Sequence, residues 1–259
     1  MDIAGFHNVD ESDPRALIAY LDAVTEISIE EKRRSYEALR LSPGMTVLDI
    51  GCGTGDDVRA LAELVAPGHA CGVDVSAVMI EKARSRGVPE NVTFVEGRAE
   101  ELPFDPAAFD AVRAERVFHH LTRPEAAARE LRRVLRDGGR TFVQDPDWET
   151  LLIGGVERER VRQIAASLCA HLANPSAGSS TPGLLRAAGF ASVVAVPMLS
   201  APTLARAYDL FLGSAIDYAV SDGTLGAQEA AAWLRELLDA ERRGEFLCAV
   251  TSVVTLATA

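Results

Sequence analysis

Adjacent histidines, His119-His120, and two carboxylates further on, Asp145 and Asp147, are the groups of this 259-residue chain best suited to moving a proton. Histidine titrates where it can accept a proton at neutral pH, and a neighbouring carboxylate can orient its ring. A second constellation is VLDIGCGTGDDV, where Gly51, Gly53 and Gly55 alternate as a hydrophobic run ends. Alternating glycines thin out the Cβ atoms, so a ligand can lie against the backbone and against the N–H groups of the helix that follows. The dinucleotide fingerprint G-x-G-x-x-G uses the same location but has a different spacing. Here the glycines run straight into Asp56 and Asp57, two carboxylates that would repel a pyrophosphate and suit a cationic amino group. Asp74, about 20 residues on, stands where a carboxylate accepts both hydroxyls of a ribose.

These groups need a scaffold. From about Met45 to Asp145 short β-rich runs alternate with helical patterns, which predicts βα units and a parallel sheet covered on both faces. Strands are expected at Thr46–Ile50, Ala70–Asp74, Thr93–Glu96, Phe109–Ala114 and Arg140–Gln144, with helices at Asp57–Val65, Ser76–Ser85 and Pro124–Arg136. Pro124 suits a first helical turn, and Asp137-Gly138-Gly139 supplies a positive-φ exit into the next strand. The histidine pair then falls just past the fourth strand and Asp145 at the end of the fifth, at the edge where open α/β sheets place ligands. Before this core lie helical patterns at Pro14–Val24 and Ile29–Leu41. After it come Val156–Leu172, a short helix opened by Thr181-Pro182 and closed by Gly189, a strand at Ser192–Pro197, helices at Leu204–Val220 and Ala227–Arg243, and a last strand at Phe246–Leu256. Residues 174–183, with Pro, Ser and Gly, read as the mobile loop.

The motifs, taken together, resemble the class I S-adenosylmethionine-dependent methyltransferases, and within them the small-molecule group that includes the ubiquinone/menaquinone-biosynthesis (methyltransferase type 11) enzymes. VLDIGCGTG is similar to the first motif, GVDVSAVMI to the second, EGRAEELPF to the third, FDAVRAERVFHHL to the fourth, and ELRRVLRDGGRTFVQD to the segment into the fifth strand. The resemblance covers about residues 42–147. It implies a Rossmann-like α/β fold with a seven-stranded, mostly parallel sheet of order 3-2-1-4-5-7-6, its last strand antiparallel. It also implies S-adenosylmethionine as cofactor, with Gly51, Gly53 and Gly55 lining the methionine part, Asp74 on the ribose, and Val75 and Met79 on one side of the adenine. Relatives often carry an Asp in the third motif to accept from the adenine amino group. Here Arg98 stands there, followed by Ala99 and Glu100, which leaves the Ala99 backbone as the contact to the ring. The Glu115 backbone is where the family touches the methionine end. Some sugar O-methyltransferases of this superfamily have a similar histidine pair and an acidic residue after the fifth strand. By that resemblance His120 or His119 is the base and Asp145 the group that orients it. Equally, the pair only shapes the pocket, and Asp145 caps a turn before Pro146.

A single elaborated domain is expected over 1–259: an N-terminal helical lid at 1–41, a cofactor-binding core at 42–146, and substrate-lid helices with the rest of the sheet at 147–259. Arg33, placed on one face with Ile29 and Tyr36, is a candidate for the cofactor's carboxylate. Tyr20, Tyr36, Trp148, Tyr208, Phe211 and Tyr218 are candidates for an aromatic cleft around a planar or apolar acceptor. The formal charge of −12 argues against nucleic acid and anionic membrane as partners. Cys52, Cys71, Cys169 and Cys248 form no CxxC pair and suggest neither zinc nor a disulfide scaffold, so no metal is expected. Cys52, between two glycines, reads as a small structural thiol. The N-terminus has acidic residues where a signal peptide needs basic ones, and a cytoplasmic location is expected. Charge and composition leave monomer and homodimer equally open. The expected activity is methyl transfer to a small organic acceptor, a specialised natural-product metabolite, with oxygen preferred over nitrogen or carbon. The rivals are a cofactor-bound cyclase on the same fold and a non-catalytic cofactor-binding protein.

Overall fold

The computed structural model describes residues 29–259. Its elements are α1 (Ile29–Leu39), β1 (Thr46–Ile50), α2 (Asp56–Val65), β2 (His69–Asp74), α3 (Ala77–Ser85), β3 (Val92–Glu96), β4 (Phe109–Glu115), a 3-10 turn (Phe118–His120), α4 (Pro124–Val134) and β5 (Leu135–Gly154). They continue with α5 (Arg158–His171), α6 (Ala177–Ala187), β6 (Ser192–Ser200), α7 (Leu204–Ala207), a π-helical turn (Tyr208–Leu212), α8 (Gly213–Ser221), α9 (Ala227–Arg242) and β7 (Leu247–Thr258). The expected helix at Pro14–Val24 lies outside the described residues.

The seven strands form one sheet of order β3-β2-β1-β4-β5-β7-β6. β7 is antiparallel to both of its neighbours, whereas β1 to β5 pair in parallel. Strand alternation divides the core. Leu48, Ile50, Val112, Ala114 and Val143 point to the face packed with Leu131 of α4 and Leu185 of α6. Val47, Ala70, Ala111 and Phe142 point to the other, where Leu39 of α1, Leu61 of α2 and Ile80 of α3 cover them. A third cluster joins Ile153 and Cys248, at the far ends of β5 and β7, to Ile164, Leu168, Phe211, Leu212, Trp233 and Leu237 of the added helices.

Three boundaries differ from expectation for physical reasons. β5 runs to Gly154, ten residues past its expected end, because β7 continues to pair with it as far as Gly154↔Leu247, across an irregularity between Asp147 and Leu152. Residues 174–183 are largely helical, since α6 starts at Ala177. Pro182 therefore lies inside α6 and not in its first turn. Gly178 lets this helix close on β5: a Cβ there would stand 3.0 Å from the Asp145 carbonyl oxygen. The helix expected over Leu204–Val220 is interrupted by the π-helical turn, which re-aims Phe211.

Candidate active site

β1 ends in the glycine turn. Gly51, Gly53 and Gly55 all have positive φ, at 70°, 51° and 82°, a region that L side chains enter at a cost. Two of them also answer to close neighbours within the protein. A Cβ on Gly51 would sit 2.6 Å from Val117 Cγ2, and one on Gly55 2.5 Å from the Phe94 ring. At Gly51 and Gly55 the missing Cβ thus answers to the left-handed backbone and to protein side chains, which corrects the expectation that these two glycines leave the space to a ligand. Cys52 is buried and packs on Gly72, and burial raises its thiol pKa far above the usual range, as a structural thiol requires.

Asp74, at the end of β2, ties the turn down. Its Oδ2 accepts the Gly53 N–H at 2.8 Å and its Oδ1 the Ser76 N–H at 2.9 Å. Burial raises its pKa, and those two backbone bonds oppose the rise. Each carboxylate oxygen keeps a second lone pair for a ligand hydroxyl. Val75 beside it is 61% exposed, whereas Met79 is 2% exposed. Arg98 points outward and pairs with the buried Glu100 at 3.7 Å, and Ala99 between them is buried.

The acidic pair after the glycines is already engaged within the chain, which corrects the expectation that it awaits a cationic ligand. Asp56 holds Arg86 at 2.8 Å. Asp57 pairs with Lys32 at 3.1 Å and Arg113 at 3.4 Å, and accepts the Tyr36 hydroxyl. Arg113 is the centre of this network and was not anticipated from the sequence. It lies in the middle of β4, 2% exposed, and its parallel register partner on β1 is Asp49. Register partners on adjacent strands point to the same face, so Arg113 Nη1 reaches Asp49 at 3.0 Å. Arg113 also donates to Ser35 Oγ at 3.0 Å and pairs with Glu115. Burial raises the Asp49 pKa to about 7 against the pull of Arg113, with Asp57 adding to the rise. Asp57 goes the other way: burial would raise it, but Arg113 and Lys32 outweigh that and hold it below the usual carboxylate range. The signal in the sequence was a lone arginine at an inward position of FDAVRAE.

Arg33 does not share this face. α1 buries Lys32, Ser35 and Leu39, while Arg33 is 63% exposed at its side chain and lies 3.9 Å from Glu37. The grouping of Arg33 with Tyr36 is corrected accordingly. The reason is that α1 is anchored by its polar residues to the Arg113 network.

β4 leads into the 3-10 turn that carries the histidines, and β5 supplies Asp145 behind it. Asp145 is 1% exposed. Its Oδ1 lies 2.7 Å from His119 Nδ1, and its two oxygens accept the backbone N–H groups of His119 and Phe118 at 3.2 Å each. His119, not His120, is therefore the histidine that Asp145 orients. His120 is exposed along one edge and lies against His119 at 3.8 Å between ring centroids, the two rings tilted by 43°. Protein packed around its other sides, the His119 ring and Arg116 lower its pKa, and the water at the exposed edge moderates that shift. Asn174, expected in a mobile loop, clamps the turn instead: its Nδ2 donates to the Phe118 carbonyl at 3.2 Å and its backbone N–H to the His119 carbonyl at 3.1 Å. The aromatic candidates separate into groups. Trp148 lies 6.4 Å from His119 and 5.1 Å from Phe211, Tyr218 stacks on His171 at 4.4 Å, and Tyr36 belongs to the Arg113 network. Tyr20 lies outside the described residues. Through the contact of Gly51 with Val117, the glycine turn and the histidine turn are neighbours at the C-terminal ends of the adjacent strands β1 and β4.

Residues 41–184 match the methyltransferase domain family. The chain belongs to that family. The methyltransferase uses S-adenosylmethionine as its methyl donor. A 37.1 kDa protein of transposon TN4556 from Streptomyces fradiae is 37% identical over 93% of this chain and 71% of its own length. The ubiquinone/menaquinone biosynthesis C-methyltransferase UbiE of Rhizobium leguminosarum is 40% identical over 40% of this chain, and the match spans 42% of that relative's length. Among solved structures, the YcgJ protein of Bacillus subtilis superposes with a TM-score of 0.63 at 20% identity, covering 88% of this chain and 97% of its own. The [4+2]-cyclase SpnF superposes with a TM-score of 0.54 at 24% identity, covering 88% and 79%. These structural likenesses show the fold, and the sheet order is the one expected from the motifs. Among the described residues, no helix is long and apolar enough to cross a membrane, and no group of three or more His, Cys, Asp and Glu could hold a metal ion.

The residues fit the donor. The Gly51, Cys52, Gly53 and Gly55 N–H groups already donate within the chain, so the left-handed turn meets a ligand with its backbone surface, Asp74 with its spare lone pairs as hydroxyl acceptors, and Val75 with an exposed apolar ledge, all at the C-terminal ends of the parallel strands.

Proposed function

We propose that this methyltransferase methylates a hydroxyl group of a small organic acceptor, a specialised metabolite, with His119 as general base and Asp145 as its orienting group. The observation that carries this reading is the 2.7 Å contact between His119 Nδ1 and the buried Asp145, beside the glycine turn. With Nδ1–H donating a hydrogen bond to the Asp145 carboxylate, the Nε2 lone pair of a neutral ring is left to accept a hydroxyl proton. A hydroxyl that loses its proton as it reacts is a far better nucleophile, and such general-base help contributes about 10²–10⁴-fold.

Bound S-adenosylmethionine supplies an electrophilic methyl group on a sulfonium. Gly51, Gly53, Gly55 and the Glu115 backbone would hold its methionine part, Asp74 its ribose, and Val75, Met79, Ala99 and the flanking Arg98 and Glu100 the adenine side. Arg33, exposed on α1, would have to turn inward to reach the carboxylate. Trp148 borders the histidine turn, with Phe211 packed behind it, and favours a planar or apolar acceptor. The negative charge fits a cytoplasmic enzyme acting on neutral small molecules and not on nucleic acid.

The test is incubation of the protein with methyl-labelled S-adenosylmethionine and a panel of phenolic, sugar and amine acceptors. Label recovered as a methyl ether supports the proposal. Label on nitrogen or carbon overturns the O-methyl assignment. An unlabelled rearranged product points to the cyclase reading, and tight S-adenosylhomocysteine binding with no product from any acceptor points to a non-catalytic binding protein.

A further inference from the structure

The glycine turn is held from two sides. On one, Asp74 of β2 accepts the Gly53 N–H. On the other, Asp57, two residues past Gly55 in the first turn of α2, gathers Lys32 and Tyr36 of α1 and Arg113 of β4 onto one carboxylate. Lys32 and Asp57 have side-chain exposures of 11% and 17%, so these contacts are shielded from water and from salt. The Arg113 guanidinium also lies 5.7 Å from the centre of the Tyr36 ring and donates to Ser35. Three consecutive inward positions of α1 thus meet a single polar cluster. Removing one partner of such a cluster leaves the others desolvated and unpaired, so the contacts are made together or not at all.

We propose that Asp57 is a positioning residue that makes the seating of α1 a condition of methyl-donor binding. Lys32 and Tyr36 are the contacts through which α1 acts. The inference rests on the reading that the donor lies against Gly51–Gly55. With α1 seated, Asp57 is neutralised and pulled toward Arg113, which fixes the start of α2 and the glycines that precede it. With α1 away, Asp57 and Arg113 face water, and the start of α2 loses the restraint that Lys32 and Tyr36 supply. The charges agree with this: Lys32, Arg113 and Arg116 face Asp49, Asp57 and Glu115, so loss of Lys32 leaves two cations among three acidic groups beside the donor site.

The experiment uses the full chain and S-adenosylhomocysteine as probe. Its dissociation constant is measured by calorimetry for wild type, Lys32→Met, Tyr36→Phe, the double variant and Lys32→Arg, and amide exchange over residues 29–39 is followed with and without the probe. The double variant is expected to bind about tenfold more weakly or worse. Lys32→Arg should recover most of the affinity, and the probe should slow exchange in α1 of wild type but not of the double variant. A double variant that folds and binds like wild type overturns the tether, as does α1 exchange that ignores the probe. A wild-type protein that binds no S-adenosylhomocysteine overturns the donor-site reading, and the tether with it.

Discussion

His119 and Asp145 are joined three ways: the Asp145 carboxylate meets the His119 ring nitrogen at 2.7 Å, accepts the His119 backbone N–H, and accepts the N–H of Phe118 before it. One buried carboxylate therefore sets both the ring's tautomer and the backbone of the turn that carries it. His119→Ala is expected to lower kcat by about 10²–10⁴-fold, with S-adenosylhomocysteine affinity within a few-fold of wild type. His120→Ala should lose much less. Steady-state kinetics with the identified acceptor check both, and a His119→Ala enzyme with wild-type turnover would exclude the base role.

Asn174 supports that turn from the opposite side, and its side chain contributes one hydrogen bond to the Phe118 carbonyl. Asn174→Ala is expected to cost about 1 kcal/mol of stability. Loss of the bond to the Phe118 carbonyl loosens the turn that carries His119, so kcat should fall while the KM for the donor holds. Chemical denaturation and kinetics on the same preparation separate the two effects.

Gly51 has φ 70° and faces Val117 Cγ2 at 2.6 Å from the position of a Cβ. Gly51→Ala combines left-handed strain with overpacking and should destabilise the fold by about 2 kcal/mol or more. Adding Val117→Ala relieves the clash but not the strain, so the double variant should recover only part of the lost thermal midpoint. Full recovery would show that the left-handed backbone is not a constraint there.

The Asp49 carboxyl, raised from its ordinary 3.8 to about 7 by burial, sits against Arg113 with Asp57 and Glu115 nearby. Its folded-state pKa lies above the unfolded one, so its contribution is fully present below about pH 4 and is lost as pH rises through about 7. Asp57, held below its ordinary value, acts in the opposite sense: its contribution is present above pH 3.8 and lost on acidification. Between pH 5 and 8 the wild type should therefore lose stability relative to Asp49→Asn, which keeps an oxygen for Arg113. Denaturation curves of both proteins across that range decide it, and parallel curves would remove Asp49 from the explanation.

Much of the fold was legible because each βα unit carries its own local signals. β1 lies at Thr46–Ile50 as expected, α4 starts at Pro124, and Gly138 takes its positive φ of 78°. The histidine pair and Asp145 could be placed at one sheet edge, since strand ends follow from hydrophobic runs. Choosing between the two rings was not possible, because a 3-10 turn directs neighbouring side chains differently and only the approach of β5 selects His119. Residues 174–183 misled for a related reason. Their Pro, Ser and Gly content favours a loop locally, yet packing on β5 stabilises the helix from Ala177.

Sequence alone determined the βα core, the glycine turn and the motif order that marks a methyltransferase, since these depend on residues close together in the chain or on strict local periodicity. The tertiary structure decided the electrostatics. Arg113 meets Asp49 through strand register, and Lys32 meets Asp57 across 25 residues, so no local pattern encodes either pair. The same pairings turn Asp57 from a free carboxylate into the hub of a buried network and leave Arg33 on the outside of α1. A charge's role depends on what lies within a few ångströms of it once the chain has folded, and for these residues that distance is set by sheet order and helix docking.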